Sequence, residues 1–413
     1  MAQLNITLNQ DEILQLLSHN HDEALRKLLT DSVNAILNAE SAAQLGAEPY
    51  ERTPERTDSR NGYRERTLKT RIGSITLAVP RHRNIPFRTL VFENYSRSEA
   101  SLVASMAEMV VNGVSTRKVS KVMETLCGTS FSKSTVSEVC KELDAIVNEF
   151  KNRQLNGVYP FLLVDATYLK ARENHRITSK ALMIAVALTD EGKREIIGFD
   201  VFDNESKETW RTFFGSLKAR GLTGLKLVTS DAHDGIIYAL SKEFPEVPWQ
   251  RCQTHFSRNV MDCAPKKYQK AIHAGLLDMY HSKTIEEARK KRDMLIEEYR
   301  DVADKAMERL DNGFESVMTV MVLPENMRRF FRTTNHLERL NREVKRRSTV
   351  INVFPNAQSI IRIMGSVLLE QNDIYITQHK IALTKKDFDE MNRSSTTKLI
   401  EIAKEQQRLL AAK

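Results

Sequence analysis

The run Phe161-Leu162-Leu163-Val164-Asp165 constrains this chain more than any other stretch. Four large apolar residues without alternation suit a strand covered on both faces. The carboxylate that ends the run is then delivered to the strand's carboxyl-terminal rim. Leu225-Lys226-Leu227-Val228-Thr229-Ser230-Asp231 repeats the arrangement. A third acid, Glu338, lies in a helical run dense with arginine between Thr333 and Arg347. Two acids on neighbouring strand ends and one on a crossing helix can hold two divalent ions about 3.5–4 Å apart, an arrangement suited to phosphodiester chemistry.

A chain of 413 residues is long for one domain and predicts two or three, and 41% hydrophobic residues can supply a core. No apolar run reaches the length of about 18 that a membrane helix needs. Met1-Ala2-Gln3-Leu4-Asn5 is not the basic start of an export signal. The expectation is a cytoplasmic, nucleoid-associated protein with no membrane partner. Four cysteines, Cys127, Cys140, Cys252 and Cys263, argue against a disulfide framework. A net charge of +8, from 62 basic and 54 acidic residues, permits nucleic-acid binding without establishing it.

Residues 1–50 read as a helical pair for dimerisation or DNA binding, with Leu25, Leu28, Leu29, Val33, Ile36 and Leu37 on one stripe of the second helix. Residues 51–97 combine a basic loop with a hairpin. Arg52, Arg56, Arg60, Arg64 and Arg66 sit among Thr, Pro, Asp, Asn and Gly, a composition for a solvated linker or for an arm lying along phosphates. The hairpin strands are predicted at 67–72 and 75–79, turning at Gly73-Ser74. Residues 98–155 hold three short helices, from Ala100 to Val111, after Ser115, and after Ser132. Short helices with small polar and basic starts match a helix-turn-helix, with Arg117, Lys118, Lys133 and Ser134 as candidate DNA contacts. A plain three-helix bundle would show the same apolar pattern.

Residues 156–256 run strand (161–165), strand (180–189), strand (194–202), helix (205–220), strand to Asp231, helix (234–244) and a brief strand near Gln250. That β-β-β-α-β-α-β order is the order of an RNase H-like α/β fold, in which the first and fourth strands are neighbours. Residues 257–331 read as an all-helical insertion, which accounts for the long gap between the second acid and the third. The core resumes over 332–380 with the Glu338 helix, and 381–413 forms a polar, peripheral carboxyl-terminal helix.

Asn335, Glu338, Arg342 and Lys345 fall at i, i+3, i+7 and i+10, one helical face, and Arg339 and Arg346 extend the basic surface. A solvated charged helix has the same pattern. Asp165 could equally cap a loop, and Asp231 a helix start. Cys252 and His255 form a Cys-x-x-His pair, but Cys263 and His273 lack zinc spacing. Trp210 reads as core rather than as a base-stacking platform; with Cys252, His255 and Asn335 it is a candidate support for the site.

With these residues in view, the chain resembles bacterial insertion-sequence transposases of the Mutator type over roughly residues 60–360. The likeness rests on Gly113 to Arg117, Val164-Asp165-Ala166, Glu205 to Trp210, Arg220-Gly221-Leu222, Ser230-Asp231, Gln250-Arg251-Cys252 with His255 and Arg258-Asn259, and Thr333-Thr334-Asn335 with Glu338-Arg339. The resemblance implies a DDE site of Asp165, Asp231 and Glu338 that works with Mg²⁺, for which Mn²⁺ can substitute. It also implies recognition of terminal inverted repeats, capture of target DNA, a homodimer joining two element ends, and copy-out paste-in movement. The rival expectations are a sequence-specific DNA-binding regulator with an inactive nuclease core, and a structural protein that bridges DNA by dimerising.

Overall fold

The computed structural model describes residues 21–70, 72–89, 100–127, 131–377, 381 and 383–412. The chain divides into two compact units, Met1–Glu142 and Leu143–Lys413. The first member of the predicted amino-terminal helical pair, and the Gly128-Thr129 break, lie outside the described residues.

In the first unit, helix α1 (His21–Leu45) precedes an antiparallel hairpin, β1 (Arg60–Thr70) and β2 (Gly73–His82). Ile75, Leu77 and Val79 alternate along β2 and bury themselves against Val33 and Leu37 of α1. Both strands are longer than the sequence pattern suggests. Residues 60–66, read there as part of a loop, pair with 77–82, and the register Thr70↔Gly73 moves the turn two residues earlier than Gly73-Ser74. The physical reason is that β2 offers backbone partners along its whole length, so a polar strand forms on its exposed side.

The Asp58 carboxylate accepts from the backbone amides of Ser59 (2.7 Å), Asn84 and Ile85 (both 2.8 Å). Those bonds hold it well below the usual carboxylate range, the Ile85 amide contributing most. Three short helices follow: α2 (Ala100–Val111), α3 (Thr116–Cys127) and α4 (Lys133–Val139). Ser132 caps α4 by accepting from the Thr135 amide at 3.0 Å, as its position before a helical run predicts. The helix expected to continue to Leu143 instead breaks into a 3₁₀ turn at Cys140–Glu142.

The second unit opens with α5 (Leu143–Asn152) and continues β3 (Phe161–Glu173), β4 (Arg176–Leu188), β5 (Arg194–Phe202), α6 (Lys207–Ala219), β6 (Leu227–Ser230), α7 (Asp234–Glu243) and β7 (Trp249–Arg251). The sheet order is β5-β4-β3-β6-β7, antiparallel among the first three and parallel from β3 onward. The first and fourth strands of this unit are therefore neighbours, as the element order predicts. One face carries Leu162, Val164, Met183 and Ala185 against Trp210, Phe213, Phe214 and Leu217 of α6. Side chains of this size contribute about 1.5–3 kcal/mol each when fully buried. Trp210 is 0% exposed, so it is a core residue and not a stacking platform.

One expectation is corrected in β3. The strand does not end at Asp165 but runs eight residues further, to Glu173, because β4 supplies a partner over the whole length. Only its parallel neighbour stops early: β6 is four residues long.

A helical segment follows, with α8 (Gln253–Met261), α9 (Lys266–Tyr280), α10 (Ile285–Val317), a 3₁₀ turn at Thr319–Val322 and α11 (Glu325–Phe331). It has a core of its own, in which Phe256, Ile272, Leu276, Leu310 and Phe314 meet. Next come α12 (Asn335–Ile351), α13 (Ala357–Thr377), α14 (Lys385–Ser394) and α15 (Thr396–Ala411). The last two are not peripheral, as their polarity suggests. Phe388, Met391 and Leu399 join a buried cluster with Phe161 and Phe331, whose rings stack at 3.5 Å.

Amide side chains close the outer strands. Gln406 of α15 both accepts from the Trp249 amide and donates to the Trp249 carbonyl, each at 2.8 Å, completing the edge of β7. On β5, Asn372 of α13 accepts from the Ile196 amide at 2.8 Å, and Arg153 donates to the Ile196 carbonyl at 2.8 Å.

Candidate active site

Register brings the first two acids level. Leu163 of β3 pairs with Thr229 of β6, and Asp165 and Asp231 each lie two residues beyond that pair. Adjacent strands run about 4.8 Å apart, so the two carboxylates leave neighbouring backbones at the end of the parallel half of the sheet. Asp165 shares a pleat face with Phe161 and Leu163, the face opposite α6. The helix cap that Asp231 might have formed is made instead by His233, whose Nδ1 accepts from the Gly235 amide at 3.2 Å.

Tethers from the same rim place the third acid. Thr229 Oγ1 donates to the Phe331 carbonyl at 2.8 Å, and the Gln253 amide to the Arg332 carbonyl at 2.9 Å. Cys252 Sγ accepts from the Thr334 amide (3.4 Å) and hydroxyl (3.3 Å). The start of α12 is thereby fixed to the residues around β6 and β7, and Glu338 comes one turn later. His255 Nε2 stands 3.3 Å from Glu338 Oε1. One turn further, Asn341 Nδ2 donates to Asp165 Oδ2 at 2.7 Å, while Asp165 Oδ1 accepts from the Ala166 amide at 2.9 Å. Glu338 and Asn341, three apart on one helix face, thus span the gap between helix and strand.

The electrostatics are strained. Burial, followed by the charge of Asp231, pushes the Asp165 carboxyl up to about 7, although the Ala166 amide and His255 pull it down. His255 is raised, first by the Cys252 thiol beside it and further by Asp231 and Glu338, against its burial. The Cys252 thiol is lowered: burial raises it, but His255 and Thr334 outweigh burial. A cavity of about 360 Å³ opens here, lined by Asp165, Glu338 and Asn341 together with Arg258, Arg342 and Lys345. Three buried oxygens around it have no hydrogen-bond partner: Thr167 Oγ1, Glu338 Oε1 and Asn341 Oδ1. Among the described residues, no group of three or more His, Cys, Asp or Glu side chains is gathered closely enough to hold a metal ion. Cys252 and His255 stand side by side, and Cys252 also accepts from Thr334, so the pair ties helix to sheet.

Against known families, residues 1–378 match the model described as Transposase, Mutator family. The chain belongs to the Mutator family of transposases. This Mutator-family chain is 44% identical over 380 residues to the transposase for insertion sequence element IS256 in transposon Tn4001 of Staphylococcus aureus, covering 91% of this chain and 97% of that one. It is 37% identical over 361 residues to the transposase for ISRM5 of Rhizobium meliloti, covering 87% and 91% respectively. Among solved structures, the Drosophila P element transposase strand transfer complex is 10% identical with a TM-score of 0.31, covering 78% of this chain and 92% of that chain, a likeness too slight to argue from.

Within this Mutator-family chain, the residues singled out from sequence fall in three places. Asp165, Glu338, His255, Arg342 and Lys345 line the cavity, and Asp231 acts on it through its charge. Arg346 turns aside to pair with Glu343 at 2.6 Å, and Arg339 faces Arg194 and His336, whose titration burial and these two cations lower to about 4. Asn335 is exposed, within 3.5 Å of the Thr254 hydroxyl. Arg117, Lys118, Lys133 and Ser134 are all exposed in the first unit, on the starts of α3 and α4. Sequence reasoning passed over Asn341 and Thr167. Asn341 had a legible signal, since it is three residues from Glu338 on one helix face.

Proposed function

We propose that the chain acts at the ends of an insertion sequence, hydrolysing one DNA strand and then joining the freed 3′-OH to a second phosphodiester. The observation that carries this reading is the common placement of Asp165, Asp231 and Glu338. Two lie level on neighbouring strands, and the third sits on a helix tethered to the same rim. On this reading the sheet and its covering helices are an RNase H-like core interrupted by the α8–α11 insertion. The strand order and the early end of β6 support it.

The donor set fits a hard divalent cation. It is made of carboxylate, amide and hydroxyl oxygens, Glu338 Oε1 is buried with no hydrogen bond although His255 stands 3.3 Å away, and the burdened Asp165 gains from any nearby positive charge. Asp165, Asp231 and Glu338 would hold Mg²⁺, or Mn²⁺ in its place. When bound, such ions supply charge stabilisation to the attacking and leaving oxygens. Asn341 orients Asp165, His255 stands beside Glu338, and Arg258, Arg342 and Lys345, lining the same cavity, would meet the phosphate oxygens. In the first step a water oxygen bonds to phosphorus and the 3′-oxygen leaves. In the second that 3′-oxygen bonds to a new phosphorus and displaces its bridging oxygen.

The three helices α2–α4 would serve as a helix-turn-helix reading the terminal inverted repeat through Arg117, Lys118, Lys133 and Ser134. A homodimer would bring two ends together for copy-out paste-in movement into target DNA. Glu338→Gln tests the site: strand cleavage in Mg²⁺ should fall by at least a thousandfold with DNA binding retained. Cleavage near the wild-type rate would remove Glu338 and the reading built on it.

A further inference from the structure

The hairpin of the first unit carries a second concentration of positive charge, well away in sequence from the helices assigned to repeat recognition. A groove of about 920 Å³ runs along it. Arg64, Arg66, Lys69, Arg81 and Arg88 line this groove, and Glu65 is the one acid among its lining residues. Five cations against one carboxylate give the groove's lining residues a net charge of +4. Arg64, Arg81 and Arg88 are exposed, and among the described residues their side chains form no ion pair.

The wall that carries Arg88 is built. Asp58 fixes the backbone at Asn84 and Ile85, and Asn84 Nδ2 adds a bond to Asp58 at 3.0 Å. Gln44, at the end of α1, takes the Arg88 amide at 3.1 Å and donates to the Arg88 carbonyl. Phe87 packs edge-on against His82, ring centres 5.5 Å apart, and His82 in turn meets Ser41 at 2.9 Å. The three arginines therefore project from backbone that is already ordered, so less freedom is lost when a ligand docks.

We propose that this groove binds the phosphate backbone of duplex DNA at the element end, a contact additional to the one made by α3 and α4. The proposal rests on the transposase reading for the identity of the DNA, but not on the acidic site. Arginine forks match phosphate oxygens in pairs, and their preponderance over lysine here favours phosphate over a diffuse acidic surface. An unpaired strand would call for flat aromatic platforms. The groove's aromatic rings, Phe87 and His82, are turned onto each other, so the duplex is favoured over single strands. Contacts of this kind add affinity and fix register while carrying no sequence information.

The test uses the full chain and a fluorescent duplex carrying the element end, with binding followed by anisotropy as salt is raised from about 0.05 to 0.2 M. Arg64→Ala/Arg81→Ala/Arg88→Ala should lower the slope of log affinity against log salt by roughly 2.7, or 0.9 for each phosphate released. Affinity at low salt should drop at least tenfold, with the preference for the element end over a scrambled duplex unchanged. The corresponding lysine variant should keep most of the slope. Glu65→Gln, which removes the groove's one acid, should tighten binding, and it decides the matter should the triple variant fail to fold.

Wild-type slope and affinity in a folded triple variant would overturn the proposal, as would unchanged binding by Glu65→Gln or a loss confined to single-stranded DNA. Glu338→Gln measured alongside separates the two readings. If that variant still cleaves while the triple variant loses its slope, the acidic site falls and the groove stands. If it is dead while the triple variant keeps its slope, the acidic site stands and the groove falls.

Discussion

Removing the buried charge of Asp165 should make the protein more stable. In Asp165→Asn the carboxylate that burial and Asp231 push up to about 7, from an ordinary 3.8, is replaced by a neutral amide of the same shape. A carboxyl whose folded-state titration is raised destabilises the fold when ionised. That destabilisation is absent below the unfolded value of 3.8, grows between 3.8 and about 7, and is complete above. The gap corresponds to about 4 kcal/mol at 1.36 kcal/mol per pH unit. In the variant the side-chain oxygen keeps the Ala166 amide and Asn341 turns its amide over, so that its unpartnered Oδ1 accepts from the new NH2; loss of charge assistance returns about 1 kcal/mol, leaving a net gain of about 3 kcal/mol. For a unit of this size each kcal/mol moves the melting temperature by about 2 °C or more, so an upward shift of about 6 °C is expected. The assay is differential scanning fluorimetry at pH 8 in chelator, repeated down to pH 4, where the difference should have nearly vanished. Mg²⁺ should raise the wild type and leave the variant little changed. A melting temperature at pH 8 equal to or below that of the wild type, in a variant with native circular dichroism, would refute the reasoning.

Two further outcomes follow from packing and local bonding. Gly313→Ala places a methyl against the Phe256 ring in the helical segment's own core, and overpacking of this sort costs about 1–3 kcal/mol, to be read from urea denaturation. Asp58→Asn should speed hydrogen exchange at the Asn84 and Ile85 amides near neutral pH. Because the folded-state titration of Asp58 lies below its ordinary 3.8, the wild type should keep its protection above that value and lose it as the pH falls further, closing the difference from the variant.

Much of the architecture was legible because local chemistry and tertiary need agree. The Ser132 cap, the alternation of Ile75, Leu77 and Val79, and the unbroken run into Asp165 each point to the element that forms. Misreadings arose where the deciding fact was a partner. The length of β3 is set by β4, and whether residues 60–66 form a strand depends on the far end of β2. The carboxyl-terminal helices looked peripheral because a few anchors, Phe388, Met391 and Leu399, are diluted among charges; their burial shows only once Phe161 and Phe331 are beside them. In the site, the acids announced themselves by their strand-end and helical settings. Asn341 was passed over although its place three residues after Glu338 puts it on the same helix face; the carboxylate it serves shows only when Asp165 is opposite.

The two amide plugs on the central sheet limit how molecules of this protein can join. With Gln406 filling the place a neighbouring strand would take at Trp249, and Asn372 doing the same at Ile196, neither margin can be lengthened by a borrowed segment of another chain. The five-stranded sheet is thereby guarded at both margins against growth by strand addition. A continuous ribbon of backbone bonds from copy to copy would lock and, at high concentration, propagate into fibres; the two plugs stand against that outcome.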